Sequence, residues 1–104
     1  QGRTKEAAKI LETIVRQDGT RGEALLELAR YYRDAGNREK SILMLERAAN
    51  LESFEYQALV EQAQIQVSDR EYEKAASLLK QALQIRSEPR VESFLARVEQ
   101  AARR

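Results

Sequence analysis

The chain has 104 residues, about one small domain, with 18 Lys and Arg against 17 Asp and Glu and neither His nor Cys. That composition excludes disulfides, thiolate and imidazole metal sites, iron–sulfur clusters, histidine-ligated haem, and catalysis that needs a Cys nucleophile or a His base. A formal charge of +1 argues against nucleic-acid binding through bulk basicity, and no apolar run is long enough to span a membrane. Because the sequence opens on Gln1 rather than Met, a targeting segment and the cellular location stay open.

Gly occurs four times and Pro once, so few residues interrupt the helical spacing that recurs along the chain. The first predicted helix, Thr4 to Gln17, carries Ala7, Ile10, Leu11, Ile14 and Val15. Gly19 to Gly22 breaks it. The segment Gly22 to Gly36 follows with a stripe of Leu25, Leu28, Ala29 and Tyr32; Gly36 suits the left-handed residue that closes a helix, and Asn37 suits the start of the next. Arg38 to Leu51 forms the third helix, with Ser41, Met44, Leu45, Ala48 and Ala49 inward. In Tyr56 to Val67, Leu59 and Ala63 keep the inner positions, but Gln62 and Gln66 stand where Leu28 and Tyr32 stood. The next turn has Arg70 in place of Gly36, so either Arg70 accepts an unfavourable φ or the turn changes geometry. Tyr72 to Ile85 carries Ala75, Leu78, Leu79, Ala82 and Leu83 inward, and the last helix follows Pro89.

These elements repeat. A shift of 34 residues superposes Ala7, Ser41 and Ala75; Ile10, Met44 and Leu78; Leu11, Leu45 and Leu79; and Ile14, Ala48 and Ala82. With Leu25, Leu28, Ala29, Tyr32 and Gly36 in one unit and Leu59, Ala63, Tyr72 and Ile85 in the next, the chain resembles the tetratricopeptide repeat family. It departs from that pattern at Leu25 and Leu59, where Trp is common, and at Ser53 and Ser87, where Pro is usual. The resemblance implies an all-α fold: a right-handed α-solenoid of antiparallel helix pairs, about six helices. Residues 1–21 are then the second helix of a partial repeat, 22–55 and 56–89 are full repeats, and 90–104 is a C-terminal capping helix. In that last helix Phe94, Leu95, Val98, Ala101 and Ala102 make a better apolar stripe than a strict 34-residue shift allows, which predicts a slip of one or two residues near Pro89. The first helix has no upstream partner in this sequence and is expected to expose Ile10 or Ile14, which implies either a segment cut from a longer array or a surface for homo-oligomer contact.

Local motifs for other chemistries fail on context. Ser77 to Lys80 spells S-x-x-K, but inside a repeat helix and without its companion motifs, so no catalytic residue is assigned. Gly19 to Gly22 spells G-x-x-G without the strands of a KH domain. No phosphate-binding loop, dinucleotide fingerprint or metal-ligand spacing is present, so no metal or cofactor is expected. Tyr32 and Tyr72 read as packing residues, and Glu39, Lys40, Glu71, Glu73 and Lys74 as solvated faces.

Function then has to come from displayed surface. The resemblance implies that the first helix of each pair lines a concave groove. On that basis Glu23, Leu26, Glu27, Arg30, Arg33 and Asp34 form one candidate stripe, and Gln57, Val60, Glu61, Gln64 and Val67 its counterpart. Leu26, Val60 and Val67 can bury apolar side chains, while Arg30, Arg33 and Gln64 can pair with carboxylates or peptide backbone. The Lys and Asn constellation with which some family members grip a terminal carboxylate is not recognisable here. The expected function is a non-catalytic scaffold that binds a protein, peptide or partner helix. The alternative is a structural spacer or self-association segment of a longer array. Neither nucleic-acid binding nor membrane insertion is expected.

Overall fold

In a computed structural model that describes residues 2–104, the chain is helical throughout, with no strand among the described residues. Helices α1 (Gly2–Gln17), α2 (Gly22–Asp34) and α3 (Arg38–Ala49) are followed by a 3₁₀ turn, Glu52–Phe54. Helices α4 (Glu55–Ser68), α5 (Tyr72–Ile85) and α6 (Pro89–Ala102) complete the chain. The helices form two compact units, one ending at Phe54 and the other running Glu55–Arg104.

In the first unit α2 packs against both α1 and α3. Three residues join α2 to α3, so the two helices run antiparallel. Gly36 has φ +82°, its N–H donates to the Arg33 carbonyl and the Asn37 N–H reaches back to Tyr32, a closure that satisfies the last carbonyls of α2. Asn37 then caps α3, its side chain accepting from the Lys40 N–H at 3.2 Å. The core holds Leu25, Leu28, Ala29, Tyr32, Met44, Leu45 and Ala48. Ser41 is buried where α3 approaches α2 and donates from Oγ to the Ala29 carbonyl at 2.7 Å. The Tyr32 hydroxyl donates to the Glu12 carboxylate of α1, and burial together with that negative charge pushes the phenol up to about 12.

The structure also corrects the reading of α1. Ser41 and Ala75 are buried, but their repeat equivalent Ala7 is exposed and its neighbour Ala8 is buried instead, whereas Val15 is buried as its spacing predicts. The Ser41 position faces the first helix of its own pair, as its bond to Ala29 on α2 shows. Among the described residues α1 packs substantially only on the helix that follows it. The face holding Ala7 and Ile10 is therefore left uncovered, and Ile10 is 62% exposed while Ile14 is half-buried.

The second unit packs α5 between α4 and α6. Leu59, Ala63, Ala75, Leu79, Ala82, Val91 and Val98 form its centre, with Val60, Val67, Phe94 and Leu95 partly buried around them. The turn after α4 repeats the bonding of the earlier one: the Arg70 N–H donates to Val67 and the Glu71 N–H to Gln66. Arg70 takes the left-handed conformation, φ +62°, which settles the alternative left by the sequence. Gln62 is buried in the position Leu28 occupies in the first unit. The slip near Pro89 is also present. Arg86 and Glu88 are extended, Pro89 opens α6, and Val91 and Val98 face inward while Ser93 and Arg97 are exposed. Ala102, expected on the inner stripe, is exposed, and Val91, outside that stripe, is buried.

Candidate functional site

The candidate surface divides between the two units. On α2, Glu23, Glu27, Arg33 and Asp34 are exposed and Arg30 is half-buried. Arg33 lies 3.2 Å from Asp34, a solvated pair. Leu26 does not belong on a displayed surface. It is only 4% exposed, because a helix packed on both sides buries a face wider than one stripe. On α4, Gln57 and Gln64 are exposed, whereas Val60, Glu61 and Val67 are partly buried. The Gln57 amide donates to Glu61 at 3.3 Å, and Val60 and Val67 pack on the core with part of their surface left outward.

Within the second unit, Val60 and Gln64 of α4 meet residues outside the predicted stripes. Together with Glu88, Arg90, Val91, Phe94 and Arg97 they line a cleft of about 490 Å³. Sequence reasoning missed the α6 side because that helix was read only as a cap. A signal was present: Arg90, Phe94 and Arg97 recur at intervals of four and three, one helical stripe, and Phe94 is the 34-residue counterpart of Val60.

The charges of the cleft are unevenly matched. Glu88 is offset by Arg86, whose guanidinium lies 3.7 Å from its carboxylate and 4.3 Å from the centre of the Tyr56 ring. The Tyr56 hydroxyl is buried close to Glu88, and burial, with that negative charge, pushes its pKa up. Arg97 lies 5.9 Å from the centre of the Phe94 ring. Neither Arg90 nor Arg97 forms an ion pair among the described residues.

The other two motifs lie on a repeat helix and at an inter-helix turn. Ser77 and Lys80 are exposed on α5, and the Lys80 ammonium is 3.4 Å from Glu99 of α6. The G-x-x-G segment is the turn between α1 and α2, held by Asp18 accepting from the Thr20 N–H at 3.0 Å and from its hydroxyl. Among the described residues no group of three or more acidic, His or Cys side chains is placed to hold a metal ion, and no helix is long and apolar enough to cross a membrane.

Two family models, both described as tetratricopeptide repeat, match the chain over residues 1–65 and 58–92. No curated protein matches it. Tetratricopeptide repeats are generally non-catalytic scaffolds that mediate protein–protein interactions, typically by binding proteins or peptides. Matched over most of its length by models of one family, and built of the antiparallel helix pairs of an α-solenoid, the chain belongs to the tetratricopeptide repeat family.

Proposed function

We propose that this chain is an interaction module that holds a peptide or partner helix against the exposed face of the first helix of a repeat pair, with 22–55 and 56–89 as the full repeats. The observation that carries the reading is the α4–α6 cleft, where Val60 and Phe94 offer apolar surface beside polar Gln64 and two cationic side chains. Apolar floor with a few convergent polar groups is the ordinary composition of a binding site. Within that unit the exposed Gln57 and Gln64 on α4 supply further polar contacts, and in the other unit Glu27 and Arg33 are exposed on α2.

The test is quantitative affinity capture from the native source with the intact chain and with a variant carrying Arg33→Glu, Val60→Asp and Gln64→Lys. Proteins retained by the parent chain and lost with the variant, at unchanged helical content, support the module. An identical retained set refutes it. A second reading, self-association, is favoured by Ile10, an apolar side chain 62% exposed on α1. Sedimentation that shows a concentration-dependent mass, abolished by Ile10→Lys, selects that reading; a constant monomer mass removes it.

A further inference from the structure

Resting on the interaction-module reading, we infer that the α4–α6 cleft takes a short acidic peptide segment carrying one large apolar side chain. The cleft contains both halves of such a site. Val60, Val91 and Phe94 provide the apolar floor, Val91 largely buried and the other two partly outward. Arg90 and Arg97 stand exposed on the same lining, without an ion pair among the described residues.

Their spacing matches a peptide. Seven residues apart on one helix, they are separated by roughly 10 Å along its axis, about the length of three extended residues. An apolar side chain can then enter over Phe94 while carboxylates on either side reach the two guanidinium groups. Arg suits this role because its fork binds carboxylate through two parallel hydrogen bonds. Glu88, the one acidic residue in the lining, is offset by Arg86 and so leaves the field of the cleft positive. A basic peptide would meet both Arg side chains, and a purely apolar one would leave them unmatched. A nucleic-acid strand is less well served, because the lining offers one aromatic ring and carries Glu88.

The experiment uses the full chain and a fluorescein-labelled peptide, acetylated and amidated, of sequence Gly-Asp-Glu-Leu-Glu-Asp-Gly, followed by fluorescence anisotropy at low salt. Binding is expected to weaken about tenfold or more with Arg90→Glu/Arg97→Glu, two exposed positions whose change leaves the core intact. It should also weaken when the peptide Leu is replaced by Ala, and as sodium chloride is raised. A peptide with Lys in place of every acidic residue should not bind. Absence of binding by the acidic peptide, or binding indifferent to the double charge reversal, overturns the inference. So does salt-sensitive binding of a single-stranded RNA oligomer that the same double variant abolishes while the peptide fails to bind. If the peptide binds but responds only to Arg33→Glu and Gln57→Lys, the interaction module stands and this cleft is not its site. If the peptide fails and partner capture is also unchanged by the substitutions described above, both readings fall.

Discussion

The two equivalent turns offer a matched test of backbone strain. Gly36 and Arg70 are 34 residues apart, both have positive φ, and both are closed by the same pair of backbone hydrogen bonds. They differ in whether a side chain must be accommodated. For an L-residue the left-handed conformation costs roughly 1–2 kcal/mol, and Gly in its place gives back about 0.5–1 kcal/mol through the extra freedom of the unfolded chain. Arg70 is exposed, so Arg70→Gly should gain about 0.5–1 kcal/mol. Gly36→Ala should lose about as much, and the cause is conformational alone, because a Cβ there meets no atom within 4 Å. The turns lie in different units, so the double exchange should return close to the parent stability. Urea unfolding followed by far-ultraviolet circular dichroism reads the effect as a midpoint moved by about 0.5 M in opposite directions with an unchanged slope. A lower midpoint for Arg70→Gly would refute the argument, and so would a neutral Gly36→Ala.

Other contacts make separate predictions. The raised pKa of Tyr32 means that the folded state holds the phenolic proton more tightly than the unfolded state, so the associated stability is complete below pH 10 and is lost as pH rises toward about 12. Thermal melts across that window should fall less steeply for Tyr32→Phe, although Tyr56, shifted in the same direction, keeps part of the slope; an identical pH profile contradicts the assignment. Asn37→Ala removes the cap on the Lys40 N–H and should cost about 1 kcal/mol in urea unfolding, whereas Asn37→Ser should retain most of it. Leu79 is fully buried, and Leu79→Ala should cost about 2–5 kcal/mol, far more than the same truncation at the exposed Leu43. A Cβ on Gly22 would run into the Phe54 ring, so Gly22→Ala should cost about 1–3 kcal/mol in the parent and clearly less in a Phe54→Ala background; equal costs in a double-mutant cycle would show that the ring is not the obstacle.

Much of this architecture was legible because one period governs both local and long-range structure. The 34-residue shift identifies the helices, and Gly36 and Asn37 mark a turn whose chemistry is local: a left-handed closure followed by a side-chain cap. Tyr32 was legible as a packing residue from its spacing, but its bond to Glu12 joins two helices and leaves no local trace. Leu26 shows the limit on the surface side. Its place on a stripe can be counted from sequence, yet its burial depends on how many neighbours flank α2. Ala7 shows the reverse, since the same repeat position is buried or exposed according to whether a pairing helix covers it.

The α6 side of the cleft was hidden for a more specific reason. A repeat period predicts facing only while the chain enters each helix by the same path. Before α4 that path is a 3₁₀ turn running directly into the helix; before α6 it is extended at Arg86 and Glu88 and restarted at Pro89. The period still equates Phe94 with Val60, but the altered entry turns Val91 and Val98 inward and leaves Arg97 outside. The departure from the repeat at its last helix is therefore what places an exposed Arg beside the apolar lining. Restoring a repeat-like entry at residues 86–88 should disturb the charge pattern of the cleft even though every cleft side chain on α6 is retained.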